Sequence, residues 1–315
     1  MAITTRRVTF RNGALDIAGE LHLPHGFIEQ GAYAAIVVAT PGSSVKEQIG
    51  AAYGSRLAQE GFVVLAFDPS FQGESSGEPR DLESPAARVE DIRCAIDHLM
   101  TLPFIAEDRV GALGICAGGG YATSAAMIDH RIRALGAVVP VNIGRAFRQS
   151  QPGANAIVEA LEALGRQRTA EARGGAERRE PWLPDTIEEA EMQGVDRDTM
   201  EAVRFYRTPR GYNANSTNRV LASSHPLLLG YDAFHLAEEL LTQPVQVIVA
   251  GRLGTTFSFG DGKMLQERAR NSEEFYIIEE AGHYEMYDMP SYVDQAVSRL
   301  ALFFDKYLAA ARADG

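Results

Sequence analysis

Six short apolar runs constrain the fold of this chain more than any other feature of its sequence. Strands buried on both faces of a parallel sheet need near-continuous apolar runs of this kind. The runs lie at 34–39, 62–67, 109–115, 135–140, 245–250 and 274–279. Helical patterns separate most of them, and this alternation predicts a doubly wound, mostly parallel α/β sheet with right-handed crossovers.

The N-terminal residues follow a different pattern. Residues 3–10 and 15–23 alternate polar and apolar side chains around the turn dipeptide Asn12-Gly13. Such alternation around a turn predicts an antiparallel hairpin. At the other end of the chain, residues 292–307 are predicted to form a closing helix.

The strand pattern stops between about 145 and 230. Polar helical stretches mixed with Pro and Gly replace it, and the segment is too long for a simple loop. We therefore predict a core formed by residues 1–144 and 231–315. Residues 145–230 are predicted to form a helical insertion, the lid, over one end of the sheet.

Composition excludes several classes of protein. The chain has 315 residues, is 45% hydrophobic and carries a formal net charge of −12, so it can bury a core and lacks the basic surface that nucleic acids or anionic membranes attract. Two cysteines provide no disulfide framework, the start of the sequence has no apolar signal core, and no apolar run approaches the eighteen residues of a membrane span. The expectation is a soluble, cytoplasmic protein.

A glycine-rich corner follows the run at 109–115. Its sequence, GICAGGG over 114–120, has the form G-x-nucleophile-x-G with Cys116 in the central place. A sharp turn from strand to helix requires small residues two positions to either side and exposes the central side chain above the sheet. The alternative is a structural cysteine in a tight turn, which is how we interpret Cys94.

A nucleophile needs a base, and His283 fits best among the seven histidines. It follows the last predicted strand and so lies at the carboxyl edge of the sheet, where open parallel sheets bind ligands. The developing oxyanion needs two amide donors. We expect one from Ala117, directly after Cys116, and one from Gly42 in the loop after the first parallel strand, with Ser43 as the alternative.

Five stretches together resemble the α/β-hydrolase superfamily, and specifically its dienelactone-hydrolase-like subgroup. They are PGSSVKEQ (41–48), AFDPSFQGESSGEPR (66–80), GICAGGGY (114–121), YRTPRGYNANSTNR (206–219) and AGHYEMYD (281–288). The resemblance spans nearly the full length. It implies an α/β-hydrolase fold, a Cys or Ser nucleophile, a His base, and hydrolysis of an ester, lactone or thioester without metal or organic cofactor.

The resemblance departs from the family pattern at the acid. Thr255 stands where such enzymes commonly carry Asp after the penultimate strand. We expect Asp232 to orient His283 instead; the alternative is that Asp232 only caps a helix. Asp261 and Asp288 are second and third choices. A Cys–His ion pair could also work without a strong orienting acid, because a neighbouring imidazole readily lowers the pKa of a thiol.

The leading prediction is a hydrolase that forms an acyl-enzyme on Cys116. One alternative is an acyltransferase that passes the acyl group to an alcohol or amine, and another is a non-catalytic ligand-binding protein of the same fold. The aromatic residues Trp182, Phe205 and Tyr206 are predicted to pack within the lid; lining the pocket is the alternative. The expected partner is a small acyl substrate, and a homodimer is compatible with the sequence.

Overall fold

The computed structural model of the protein describes residues 3–310, which form a large twisted sheet covered by helices. The strands are β1 (Thr4–Asn12), β2 (Leu15–Leu23), β3 (Tyr33–Ala39), β4 (Val63–Phe67), β5 (Ile105–Ile115), β6 (Ile132–Val138), β7 (Arg179–Pro181), β8 (Arg219–Leu221), β9 (Pro244–Ala250), β10 (Asn271–Ser272) and β11 (Tyr276–Ile278). The α-helices are α1 (Ala51–Gln59), α2 (Pro85–Met100), α3 (Ala117–Ile128), α4 (Ile143–Gln149), α5 (Ala154–Ala172), α6 (Ile187–Gln193), α7 (Arg197–Tyr206), α8 (Ser224–Leu229), α9 (Ala237–Leu240), α10 (Ser258–Arg268) and α11 (Pro290–Tyr307). A π-helical turn spans Lys46–Gly50 and a 3-10 helix spans His283–Tyr287.

The main sheet has the order β1-β2-β4-β3-β5-β6-β9-β10, with β11 also paired to β9. The pairs β1/β2 and β2/β4 are antiparallel, and the pairs from β4 through β3, β5, β6 and β9 to β10 and β11 are parallel. The predicted hairpin and the predicted parallel sheet are both confirmed. Because the parallel strands share one direction, their carboxyl ends meet at one edge.

The central parallel strands are apolar on both sides, and helices cover both faces of the sheet there. In β3, Ala35 and Val37 face the cluster that includes α2 and α3, whereas Ile36 and Val38 face the cluster that includes α1 and α11. All four are fully buried. Burying an aliphatic side chain of the size of Val or Ile contributes about 1.5–3 kcal/mol, so runs of this kind are strong determinants of the fold.

Between β6 and β9 the chain forms α4 to α9 and a small antiparallel sheet of β7 and β8. Helices α5 to α8 and both short strands fall in the segment predicted to be the lid, and α4 begins two residues before it. The boundaries at 145 and 230 stay predictions. Within residues 3–310, no helix combines the length and apolar character that a membrane crossing requires.

Candidate active site

Cys116 sits at the turn between β5 and α3 with φ +56° and ψ −125°. This backbone conformation is strained for a residue with a side chain and is typical of functional turns. The turn is tight, since a methyl group on Gly114 would overlap the carbonyl of Gly118. Glycine is therefore required on both sides of Cys116, as the G-x-C-x-G spacing predicts.

The Cys116 thiol is partly buried. Burial raises its pKa to about 11, although hydrogen bonds with the Tyr287 hydroxyl and the Ala117 N–H, together with the charge of Arg88, act in the opposite direction. The thiol is therefore neutral at physiological pH. Cys94 lies within α2 and is buried, as predicted for a packing residue.

His283 begins the 3-10 helix that follows β11, and only 3% of its surface is exposed. Burial lowers the pKa of its imidazole to about 3. Burial therefore disfavours the charged forms of both groups, and so opposes the thiolate–imidazolium pair considered from the sequence.

The Tyr287 hydroxyl connects these two groups. It lies 3.1 Å from Nε2 of His283 and is a hydrogen-bond partner of the Cys116 thiol. Burial raises the pKa of Tyr287 well above its usual value, and a thiolate at Cys116 would raise it further. Tyr287 is thus a neutral hydroxyl that can accept one proton and donate another.

The second ring nitrogen of His283 contacts Ser258. Its Nδ1 lies 2.9 Å from Ser258 Oγ, and Ser258 is the first residue of α10. The Ser258 hydroxyl is in turn 3.3 Å from Thr256 Oγ1. The sequence analysis identified neither Ser258 nor Tyr287. Tyr287 could have been found from its spacing, because it lies four residues after His283, about one helical turn.

The structure corrects the expectation that Asp232 orients His283. The Asp232 carboxylate accepts hydrogen bonds from the Asn142 side chain at 2.7 Å and from the Phe234 backbone at 3.1 Å. The bond from Phe234 is a local side chain–backbone bond of a turn. The helix cap that was the alternative does not form, since the next helix, α9, begins at Ala237 after Leu236. Asp232 is exposed, while the ring nitrogens of His283 bond to two hydroxyls.

The second- and third-choice acids, Asp261 and Asp288, also bind groups other than His283. Asp261 accepts from the Asn142 backbone at 2.9 Å and pairs with Arg145, and burial raises its pKa to about 6. Asp288 forms a bidentate pair with Arg210, at 2.6 and 2.8 Å.

Thr255, which replaces the expected acid, joins its loop to the lid. Its hydroxyl donates to Asp196 at 2.6 Å and its backbone N–H donates to Asp198 at 2.8 Å. Both aspartates lie at the start of α7. A cavity of about 250 Å³ opens beside this loop and is lined by Arg145, Arg252, Ser258 and His283 among others.

The first turn of α3 packs against the end of β3. A methyl group on Gly118 would overlap the carbonyl of Ala39, so the two elements touch there. Ala117 is the first residue of α3, where backbone N–H groups lack helical partners. The loop at residues 40–45, which contains Gly42, follows directly from the end of β3.

Buried ions hold this loop in place. The buried Arg88 donates to the carbonyls of Thr40 and Pro41 at 2.8 and 2.9 Å. Further along, Lys46 Nζ donates to Asp68 at 2.8 Å, and the Lys46 backbone N–H donates to the same carboxylate. Removing one member of a buried pair of this kind typically costs about 3–5 kcal/mol.

Three carboxylates around Lys46 have the spacing of a metal site. Glu47, Asp68 and Glu74 present oxygens within 4.8 Å of one another. The Lys46 ammonium, however, donates to all three at 2.6–2.8 Å. A cation of the chain itself therefore occupies the position between the three carboxylates.

Comparison with known proteins agrees with this geometry. The model of the alpha/beta hydrolase family matches residues 37–296. The chain belongs to the alpha/beta hydrolase family. Members of this family include the serine-type hydrolases whose nucleophile occupies the same strand-to-helix turn as Cys116.

Three other proteins are similar to this chain over two thirds of its length or more. Protein YcjY of Escherichia coli (strain K12), an uncharacterized protein, is 38% identical over 309 residues, covering 96% of this chain and 99% of YcjY. The crystal structure of the hypothetical protein PA2218 from Pseudomonas aeruginosa superposes with a TM-score of 0.87 at 28% identity, covering 97% of this chain and 94% of PA2218. The thiohydrolase aneE of Aspergillus aculeatus is 27% identical over 223 residues, or 69% of each chain.

Proposed function

We propose that this hydrolase cleaves an acyl thioester or ester through an acyl-enzyme on Cys116. The observation that carries the proposal is the hydrogen-bonded chain from the Cys116 thiol through the Tyr287 hydroxyl to His283, beneath the lid. A thiol raised on a strained turn and connected to an imidazole is the arrangement that nucleophilic catalysis needs. The likeness to a fungal thiohydrolase supports a thioester substrate.

The proposed first step is attack of Cys116 Sγ on the acyl carbonyl carbon. As the S–C bond forms, the thiol proton moves to the Tyr287 oxygen and the Tyr287 proton moves to Nε2 of His283. The carbonyl electron pair moves to oxygen, where the N–H groups of Ala117 and Gly42 stabilise it. Nδ1–H of His283 donates to Ser258 and keeps the ring in the orientation and tautomer that this transfer requires.

Collapse of the tetrahedral intermediate re-forms the carbonyl and breaks the bond to the leaving thiolate or alkoxide. His283 returns the proton to that leaving group, which departs as a free thiol or alcohol and leaves the acyl group on Cys116. Water then attacks the acyl carbon and gives a proton to His283. The C–S bond breaks, the acid is released, and the proton returns to Cys116. Because both resting groups are neutral, each proton moves together with bond formation at carbon.

Transfer to an alcohol or amine instead of water is the second candidate. The lid favours transfer. A Cβ on Gly42 would lie 3.7 Å from the Trp182 ring, so an aromatic side chain of the lid covers the loop that contains Gly42. Exclusion of water from an acyl-enzyme allows a bound acceptor to compete.

Product analysis separates these outcomes. The purified protein is incubated with simple acyl thioesters and p-nitrophenyl esters, with and without added alcohols and amines, and the products are separated by chromatography. Formation of free acid at the same rate in all mixtures supports hydrolysis. Formation of a new ester or amide that increases with the concentration of the acceptor supports transfer. Turnover that persists in Cys116→Ala would contradict the proposal, and Cys94→Ala is the matched control that must keep it.

A further inference from the structure

Helix α5 of the lid receives little packing from its own chain. With 19 residues it is the longest α-helix of residues 3–310, yet none of its residues is buried. Isolated helices of this length are marginal in water, and most surface helices are stabilised by tertiary packing of one face. Gly165 near the middle weakens the helix relative to alanine, and Gly153 at the N-cap provides no side-chain cap. The chain therefore leaves α5 with little of the packing that usually stabilises a surface helix.

Two sides of α5 differ in exposure. The side turned toward the protein holds half-buried residues, among them Ile157, Ala160 and Leu164. An adjoining row of exposed residues, which we call the seam, consists of Ala154, Val158, Leu161, Gly165, Arg168 and Ala172. Its members alternate at intervals of four and three residues, which is the heptad spacing of a helix that packs against another helix. Val158 and Leu161 at its centre are 55% and 39% exposed.

A groove continues the seam toward α8. It has a volume of about 250 Å³ and is lined by Leu161, Gly165 and Leu227 among others, and Leu227 is 46% exposed. A Cβ on Gly165 would meet no atom within 4 Å, so the backbone of another helix can approach closely at this point. The seam and the groove together form one exposed, mostly apolar surface, and such surfaces mark interaction sites.

The charges of α5 indicate which partner fits this surface. Residues 154–173 contain three Glu and three Arg, so they are neutral within a chain of net charge −12. The exposed glutamates, Glu159 and Glu162, lie before the helix midpoint at residue 163, and the exposed arginines follow it, at 166, 168 and 173. A helix of this kind is complementary to a second copy of itself that runs antiparallel, because each acidic half then lies along a basic half.

We infer that α5 forms the interface of a homodimer, in which the seams of two copies pack antiparallel about a two-fold axis. An axis at residue 163 pairs positions that lie equally far on either side of it. Leu161 of one copy then meets Gly165 of the other, and the leucine side chain fills the space above the glycine. Val158 meets Arg168, whose aliphatic part can cover it while the guanidinium stays in water. No seam residue belongs to the candidate active site, so the interface does not depend on the chemistry at Cys116.

Analytical ultracentrifugation of the full chain at about 1 to 200 µM measures the association. A contact limited to one helix and its groove is at the small end of specific interfaces, so we expect a Kd of about 10 µM. Leu161→Glu places a charge in the centre of the seam and should raise the Kd at least about tenfold. Leu302→Glu, at a 70% exposed leucine of α11, is the matched control and should leave the Kd unchanged. A wild type that stays monomeric at every concentration, or a dimer whose Kd Leu161→Glu does not change, would overturn the inference.

Charge reversal tests the antiparallel arrangement. Glu159→Arg/Glu162→Arg makes both halves of α5 basic, and Arg166→Glu/Arg168→Glu makes both halves acidic. Each variant alone should dimerise about tenfold more weakly than the wild type at low ionic strength. An equimolar mixture, with one variant fluorescently labelled, should form a heterodimer, because a basic helix then lies along an acidic one. Misfolded chains could not recover association on mixing. Unchanged dimerisation of the separate variants, or a mixture that forms no heterodimer, would contradict the inference.

Discussion

Nδ1 of His283 lies 2.9 Å from Ser258 Oγ, so a neutral hydroxyl holds the ring where related hydrolases commonly carry a carboxylate. A hydroxyl can fix the orientation and tautomer of the imidazole, but it stabilises the imidazolium much less than a negative charge does. The low pKa of His283, about 3, agrees with this environment. The site is therefore built for concerted proton transfer between neutral groups.

Ser258→Ala removes this contact. We expect kcat/KM to fall about tenfold, because a hydrogen bond that orients the base is worth about 1–1.5 kcal/mol, with little change in KM. Ser298→Ala, on the exposed side of α11, is the matched control and should retain full activity. Steady-state kinetics on one thioester measure both; equal activity of Ser258→Ala and the wild type would exclude a role for Ser258.

Tyr287→Phe breaks the connection between Cys116 and His283. We expect kcat to fall about 100-fold, since a positioned proton-transfer group contributes about 10²–10⁴ in rate. Tyr292→Phe, whose hydroxyl donates to a backbone carbonyl at 3.3 Å on an exposed part of the chain, is the control. Alkylation of Cys116 provides a second measurement: faster alkylation in Tyr287→Phe would show instead that the hydroxyl blocks the thiol.

The pH dependence of Cys116 alkylation follows from its raised pKa, about 11. Only the thiolate reacts, so the rate with iodoacetamide should rise about tenfold per pH unit from 7 to 9. The measurement uses Cys94→Ala protein, because Cys94 also has a pKa raised to about 11 by burial. A rate that is flat over this range would indicate a thiolate–imidazolium pair and contradict the neutral resting site.

The fold and the positions of Cys116 and His283 could be predicted because they depend on local sequence. A bounded apolar run of six residues is typical of a buried strand. The glycines around Cys116 indicate a sharp turn from strand to helix. The orienting group of His283 could not be predicted in this way. Ser258 reaches His283 across 25 residues of sequence, and its role depends on where α10 begins.

The aromatic residues of the lid show the same limit. Tyr206 was assigned to packing, and its ring does pack against Phe205 and Tyr287. The side chains near its hydroxyl, Ser44 and Tyr287, lie far from it in the sequence and could not be predicted. Asp232 failed as a prediction because an aspartate before a short helical turn satisfies its own backbone so easily.

His22 makes the stability of the protein depend on pH. Both ring nitrogens are buried without a hydrogen-bond partner among residues 3–310, and burial lowers the pKa to about 4, against about 6.5 for the unfolded chain. The unfolded state therefore takes up a proton first as the pH falls from 6.5 toward 4, and stability is lost in that window. The loss due to His22 amounts to about 2 kcal/mol at pH 5.

His22→Leu should remove this part of the pH dependence. Urea unfolding at pH 7 and pH 5 measures it, and the decrease in unfolding free energy between these pH values should be smaller in the variant by about 2 kcal/mol. His235→Leu, at an exposed histidine, should lose stability between the two pH values as the wild type does. An equal decrease in His22→Leu and the wild type would contradict the assignment.

The central claim is that Cys116 carries the acyl group, and intact-protein mass spectrometry tests it most directly. After brief exposure to p-nitrophenyl acetate and to an acyl thioester, we expect one acyl group on the wild type and on Cys94→Ala, none on Cys116→Ala, and slow formation on His283→Ala. The adduct should decay as product appears. Formation of the adduct in Cys116→Ala at the wild-type rate, or turnover by the wild type with no adduct at any time after rapid quenching, would contradict the account.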